Sequence, residues 1–202
     1  MIAGLLWFIA SLLAQASPAP ISEQQAIVDG TLRTAEHAVI RPVVYLVPAS
    51  GVVRATDPTD LLIDQAGLRF SPTVLPVTRG ATVQFTNSDP LMHNVFSPRG
   101  PAASGFDLGT YAEGEVRSQA FDAVGTHIIL CHVHPEMYAY VVVVPTPYYA
   151  RADDDGRFRI ENITPGRYTV RVWHRRDQSY EREITVEAGD RLTMSIDLAN
   201  SR

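Results

Sequence analysis

Cys131-His132-Val133-His134-Pro135-Glu136-Met137 lies between two apolar runs, Ile128 to Leu130 and Tyr138 to Val144. Runs of this composition on either side of a short polar segment predict a strand, a tight loop and a second strand. Residues of three metal-ligand types fall within these seven positions. They must come from a loop, because side chains alternate along a straight strand and do not converge. Pro135 restricts His134 to extended backbone and helps to fix the loop.

Four side chains are candidates for one metal site. Cys131, His134 and Met137 follow the spacing Cys-x-x-His-x-x-Met, and His93 lies upstream after a turn-forming Asn-Ser-Asp-Pro segment. Two imidazoles, one thiolate and one thioether form the ligand set of a blue-copper electron-transfer site. The sulfur ligands favour Cu(I) and the imidazoles suit both oxidation states. We therefore predict a copper site made by His93, Cys131, His134 and Met137.

The role of Met137 has alternatives. Methionine often fills apolar cores, and the axial position of a copper site is sometimes taken by a backbone or glutamine oxygen. If Met137 did not bind, the metal would keep an open position suited to an enzyme. A copper carrier or storage protein without redox cycling would use the same ligands. A closed structural zinc site fits this donor set poorly.

Two other histidines are close to the loop in sequence. His132 is expected to point away from Cys131 if strand alternation persists, and His127 should lie roughly 13 Å before Cys131 along a strand. Neither is predicted to bind the same ion. No Ser/His/Asp arrangement, phosphate loop or paired-carboxylate site stands out in the sequence, so we predict that the protein is not an enzyme.

The charge distribution bears on the partner. The 202 residues carry a formal net charge of −5, and residues 17–146, with seven arginines and twelve carboxylates, account for all of it. An acidic region without a basic run argues against nucleic acid as a partner. The same charge favours docking to a basic patch on a redox protein.

The N-terminus has the pattern of a signal peptide. Residues 2–14 form an uncharged apolar run, and Ala14-Gln15-Ala16 provides an A-x-A cleavage site. The run is too short to span a bilayer comfortably. We therefore predict a signal peptide at residues 1–16, export to the periplasm or outside the cell, and no stable membrane span. The single cysteine excludes an internal disulfide, and metal ligation would account for a free thiol in an exported protein.

The rest of the chain predicts an all-β fold. Short apolar runs between residues 61 and 145 are separated by glycine, proline and asparagine turns, at a spacing typical of a sandwich. Residues 146–198 contain four strand candidates separated by turns at 153–156 and at Pro165-Gly166, and they predict a second, smaller sandwich. Residues 26–47 add two apolar runs, with a predicted turn at Asp29-Gly30.

Residues 61–144 resemble the cupredoxins, the family of plastocyanin, azurin and amicyanin. The shared motifs are Phe70-x-Pro72, Val77-x-x-Gly80-x-x-Val83-x-Phe85-x-Asn87, His93-Asn94, Gly125-Thr126 and Cys131-x-x-His134-x-x-Met137. The resemblance implies a Greek-key sandwich, one type 1 copper and single-electron exchange with a protein partner such as a cytochrome or a dehydrogenase. It also gives Asn94 a supporting role: its N–H would bond the sulfur of Cys131, and its side chain would tie the two ligand loops together. His132 stands where plastocyanin-like proteins usually have serine or threonine.

Residues 146–198 resemble the carboxypeptidase regulatory-like (transthyretin-like) sandwich in their Asp-Gly-Arg-Phe and Pro-Gly-Arg-Tyr-Thr-Val motifs. Over its whole mature length the chain resembles exported cupredoxin-domain proteins of a methylamine-utilization-like type, with the shared motifs Thr146-Pro147-Tyr148-Tyr149, Asp154-Asp155-Gly156-Arg157 and Arg171-Val172-Trp173-His174. The cupredoxin pattern is complete from Leu61, whereas the second sandwich lacks its first strands if it begins at residue 146. We therefore hypothesise that residues 26–47 supply those strands and that the cupredoxin domain, residues 61–145, is inserted in the other sandwich.

Overall fold

The computed structural model describes residues 25–34, 41–51, 61–98, 100–174 and 180–198, and the predicted signal peptide lies outside these ranges. Within them the chain forms sixteen strands and no α-helix, which confirms the all-β prediction. The strands are β1 Ala26–Arg33, β2 Val43–Pro48, β3 Leu62–Gln65, β4 Phe70–Ser71, β5 Val74–Thr78, β6 Ala81–Asn87, β7 His93–Ser97, β8 Phe106–Tyr111, β9 Val116–Phe121, β10 Gly125–Leu130, β11 Tyr138–Val144, β12 Tyr149–Arg151, β13 Arg157–Ile163, β14 Gly166–Trp173, β15 Tyr180–Val186 and β16 Arg191–Asp197. No helix in the described ranges is long and apolar enough to cross a membrane.

Strands β3 to β11 form two sheets that share one apolar core. One sheet has the order β5-β11-β10-β7-β8 and the other has the order β4-β3-β6-β9. Alternate residues of both sheets point into this core, among them Val83 and Phe85 of β6 and Ile129 of β10. Cys131 and Met137 belong to the same apolar cluster. The loop that joins β10 to β11 is therefore anchored in the core at both of its ends.

Strands from the two ends of the chain share the remaining sheets, which have the orders β13-β1-β16 and β12-β2-β14-β15. β1 pairs antiparallel with β13 and parallel with β16, while β2 pairs antiparallel with β12 and β14. A second apolar core joins these sheets and includes Val28, Leu46 and Val170. Strands that precede residue 50 thus pair with strands that follow residue 146, which is the pairing that the insertion hypothesis requires.

The prediction of a turn at Asp29-Gly30 is wrong, because β1 continues through both residues. A Cβ atom at Gly30 would lie 2.2 Å from the backbone oxygen of Met194 on β16. The glycine therefore serves close approach of two backbones, which is a common use of glycine inside a strand. Asp29 strengthens the same pairing by accepting hydrogen bonds from Thr193 at 2.9 Å and from Arg191 at 2.8 Å.

The two sandwiches meet along β11. Val142 belongs to a small apolar cluster with Val43 of β2. The Trp173 ring lies 5.5 Å from the ring of Tyr140, and its indole Nε1 donates a 2.7 Å hydrogen bond to the hydroxyl of Thr126. The second sandwich thus packs against the sheet that leads into and out of the 131–137 loop.

Candidate metal centre

The 131–137 loop joins two paired antiparallel strands. Leu130 of β10 faces Tyr138 of β11, so the loop reverses the chain within seven residues. The backbone N–H of Met137 donates to the oxygen of His134 at 3.0 Å and closes an inner turn. As a result, Cys131 and Met137 lie at the two buried bases of the loop, and His134 lies further out and is half-buried.

His93 reaches the loop from β7, the neighbour of β10 in the sheet. Leu130 pairs with Phe96 in an antiparallel register. His93 precedes Phe96 by three residues on β7, so it lies beside the residues that follow Cys131. Its side chain is fully buried.

The structure brings the donor atoms of His93, Cys131 and His134 together. The two Nδ1 atoms are 3.0 Å apart, and Cys131 Sγ lies 4.0 Å from His93 Nδ1. All three donors lie within 4.8 Å of one another. Since metal–nitrogen and metal–sulfur bonds at comparable protein sites are about 2.0–2.3 Å long, one ion can reach all three. Two imidazoles and one thiolate are the donors that blue-copper sites use, so the residues present fit copper.

Met137 is buried in the same apolar cluster as Cys131. Its position at the base of the loop agrees with the Cys-x-x-His-x-x-Met pattern. Burial alone does not separate an axial ligand from a core residue, because methionine serves both purposes. Its ligation of copper therefore stays a prediction.

Asp89 holds the His93 ring through Nε2, the nitrogen that does not face His134. Its carboxylate accepts a 2.8 Å hydrogen bond from Nε2 of His93. The backbone N–H groups of Gly67 and Leu68 donate to the same carboxylate at 2.8 and 3.0 Å. The Leu68 bond above all, aided by those of Gly67 and His93, lowers the pKa of Asp89 despite the opposing effect of burial. With its proton on Nε2, the imidazole of His93 directs the lone pair of Nδ1 toward Cys131 and His134.

The backbone that holds Asp89 adopts an unusual conformation. Gly67 and Leu68 have successive positive φ angles of 60° and 59°. Consecutive N–H groups in such a conformation form a concavity that binds negative charge. For leucine this conformation costs of order 1 kcal/mol or more. The chain therefore bends at Gly67 and Leu68, where the backbone serves the Asp89 carboxylate, and β4 begins only at Phe70.

Asn94 connects the two ligand-bearing segments. Its backbone N–H points at Cys131 Sγ with a nitrogen–sulfur distance of 3.4 Å. Its side-chain oxygen accepts a 3.3 Å hydrogen bond from the backbone N–H of His132. These are the two contacts that the resemblance implies. Because the second contact uses the backbone of His132, it does not require serine or threonine at that position.

The two histidines near the loop in sequence lie outside the donor group. The exposed ring of His132 stacks on Phe96 with a centroid distance of 3.6 Å. His127 is buried, and its Nε2 donates to the oxygen of Ala123 at 2.9 Å. Within the described ranges, His93, Cys131 and His134 form the one group of three such side chains close enough to hold a metal ion.

The fold and the donor group together define a cupredoxin-like copper-binding fold. Residues 59–144 match the family model of copper binding proteins of the plastocyanin/azurin family. Residues 134–199 match the model of the carboxypeptidase regulatory-like domain. Each match covers less than half of the chain. Together they confirm the resemblance to the cupredoxins and the resemblance to the carboxypeptidase regulatory-like sandwich. None of the curated proteins compared with this chain matches it.

Similar solved structures include three copper proteins. A copper-containing nitrite reductase from Thermus scotoductus SA-01 is 24% identical, with 48% of this chain and 25% of that chain covered and a TM-score of 0.41. A variant of amicyanin in its reduced Cu(I) form is 23% identical, with 50% and 98% covered and a TM-score of 0.40. A purple cupredoxin from Nitrosopumilus maritimus is 24% identical, with 42% and 100% covered and a TM-score of 0.38. This chain thus spans about a quarter of the reductase.

Proposed function

We propose that this chain is an exported electron carrier that holds one type 1 copper with His93, Cys131, His134 and Met137. The observation that carries the proposal is the convergence of two Nδ1 atoms and one Sγ within 4.8 Å. Copper would supply one-electron chemistry, because the sulfur donors favour Cu(I) and the imidazoles suit both oxidation states.

The residues around the donors support electron transfer, a role in which the geometry of the metal site should change little. Asp89 fixes the ring orientation and tautomer of His93, and Asn94 fixes the sulfur of Cys131 and the backbone of His132. Supporting bonds of this kind orient ligands and tune the metal. A donor set held by bonds that do not involve the metal should keep its geometry when an electron arrives or leaves.

His134 provides the contact with solvent and with a partner. His93 and Cys131 are buried, whereas His134 is half-buried. Exposed apolar side chains flank the two imidazoles in sequence, with Met92 beside His93 and Val133 beside His134. We propose that electrons pass through the edge of His134 and that this apolar surface docks on a redox protein. The net negative charge of residues 17–146 suits a partner with a basic surface.

The predicted signal peptide supports export, and burial of the single cysteine makes the chain compatible with it. A lone free thiol in an oxidising compartment is prone to oxidation or to intermolecular pairing. Cys131 is almost fully buried beside two imidazoles, so metal ligation would protect it there.

The proposal can be tested by redox cycling of copper-loaded residues 17–202. An electron carrier should give a reversible one-electron wave in voltammetry and should keep its copper through repeated reduction in the presence of a Cu(I) chelator. Loss of the copper to the chelator on the first reduction would instead favour a copper carrier. The Cys131→Ser variant is the matched control, because it removes the thiolate and keeps the size of the side chain.

A further inference from the structure

The side chain of Asn94 is also held by a third strand, β8. Its amide Nδ2 donates a 2.7 Å hydrogen bond to Oδ1 of Asp107. The same oxygen accepts a 2.8 Å bond from the backbone N–H of Gly109. These two bonds, the one from Gly109 first, hold the pKa of Asp107 below its usual value. Asp107 is therefore a fixed, ionised acceptor at neutral pH.

A bulge between β7 and β8 lies at this contact. Asn94 pairs with Thr110, but Phe96 pairs with Asp107, so β8 carries one extra residue between the two pairs. Gly109, inside that interval, has a φ of 74°. Bulges often contain such a glycine, and they redirect neighbouring side chains next to functional sites. The bulge and the Gly109 N–H together place the Asp107 carboxylate against the Asn94 amide.

His132 covers the same carboxylate from the loop side. Its Nε2 lies 3.6 Å from Oδ2 of Asp107, and both side chains are more than half exposed. Exposed charged pairs contribute little. We therefore regard the short bond to Asn94, and not the long contact with His132, as the important interaction of Asp107.

We propose that Asp107 is a positioning residue of the metal centre, which fixes the Asn94 side chain and thereby the N–H that Asn94 directs at the Cys131 sulfur. This inference rests on the proposed function. A hydrogen bond to sulfur stabilises the thiolate more when copper is reduced, because the sulfur then carries more negative charge. Loss of Asp107 should therefore favour Cu(II) and shift the thiolate-to-copper absorption band to longer wavelength.

The test compares the Asp107→Ala and Asp107→Asn variants with the Glu113→Ala variant, each as the copper-loaded full chain. Glu113 is exposed in the turn after β8, so its removal is a matched control for the lost charge. Asp107→Ala should move the Cu(II)/Cu(I) equilibrium up to about tenfold toward Cu(II), a potential lower by up to about 59 mV, and should shift the band. Asp107→Asn keeps an acceptor oxygen and should give a smaller change, and Glu113→Ala should leave the band in place.

A second measurement uses metal-free protein. Backbone amide exchange at Asn94 and His132 should accelerate several-fold in Asp107→Ala, and the amides of β10 should be unaffected. Wild-type exchange rates at both amides, together with an unshifted band, would overturn the role of Asp107. So would equal band shifts in Asp107→Ala and Glu113→Ala. If wild-type protein forms no thiolate-to-copper band, the proposed function fails, and the exchange rates alone decide the positioning role.

Discussion

Replacing Asp89 by asparagine tests how the protein prepares His93 for a metal. Oδ1 of Asp89 accepts the Gly67 N–H, and Oδ2 accepts both the Leu68 N–H and Nε2–H of His93. Asparagine offers one acceptor oxygen and an NH₂ group in place of two acceptors. In either amide orientation at least one of the three donors loses its acceptor. Gly67 and Leu68 are exposed, so the loss is that of an ordinary hydrogen bond, and Asp89→Asn should destabilise the metal-free protein by about 0.5–1.5 kcal/mol.

The substitution should also weaken copper binding. Where the NH₂ group takes the place of Oδ2, it donates to Nε2 of His93, which moves the ring proton to Nδ1 and removes the lone pair that faces Cys131 and His134. Where it takes the place of Oδ1, His93 keeps an acceptor, but a neutral one that forms a weaker bond than the carboxylate. Loss of such supporting bonds typically costs about 10–100-fold in metal affinity, which corresponds to about 1.4–2.7 kcal/mol. We expect Asp89→Asn to fall within this range.

Two measurements check this expectation. Competition with a copper chelator of known affinity gives the change in binding, and ring-nitrogen NMR of the metal-free protein reports the tautomer of His93. Asp64→Asn is the control, because Asp64 is also a partly buried carboxylate but bonds only the hydroxyls of Thr86 and Ser88 in the described structure. Wild-type copper affinity in Asp89→Asn would contradict the role of Asp89 in preparing His93.

Further substitutions and a cleavage experiment address the axial ligand, the β1–β16 pairing and the domain organisation. If the thioether binds, Met137→Ala should change the visible spectrum and the reduction potential of the copper-loaded protein. An unchanged spectrum would remove Met137 from the ligand set and favour an open, enzyme-like site. Hydrogen bonds from Thr193 and Arg191 lower the pKa of Asp29, so its carboxylate stabilises the fold above about pH 4 and this contribution disappears as the pH falls through the lowered pKa. Asp29→Asn should therefore lower the unfolding temperature at pH 7 and lower it progressively less below pH 4, whereas an effect independent of pH would contradict this assignment. After proteolytic cleavage near residues 50 and 146, the two terminal pieces should stay associated, and their separation would contradict the insertion hypothesis.

The approach of Cys131 to His134 could be predicted from sequence because both residues lie in one short loop. Cys131, His134 and Met137 fall within seven residues between two apolar runs, and a strand–loop–strand connection leaves their side chains few alternatives. His93 was available upstream as a fourth donor, but nothing in its own segment states which strand it joins. The structure supplies that link through the pairing of Leu130 with Phe96.

The supporting carboxylates could not be predicted in the same way. Asp89 follows a turn-forming Asn-Ser pair and resembles an ordinary turn residue, and its role depends on Gly67 and Leu68 from a distant part of the sequence. Asp107 depends on a bulge in β8 that shifts the register by one residue. A hydrogen bond between distant segments leaves no periodic pattern in sequence, whereas strand cores do.

Gly30 illustrates a further limit of sequence interpretation. Asp-Gly is a strong turn signal, but here the pair lies inside β1 because the backbone of β16 passes too close for any side chain. The signal indicates that glycine is needed and does not say why. Only the position of the neighbouring strand distinguishes a turn from close packing.

The most direct test of the central claim is a visible absorption spectrum of residues 17–202 after one equivalent of Cu(II). A type 1 copper site should give an intense thiolate-to-copper band that bleaches with a reductant, returns with an oxidant and is missing in Cys131→Ser. A protein that binds copper and stays colourless, or that keeps its band in Cys131→Ser, would contradict the proposal of a type 1 copper site at Cys131.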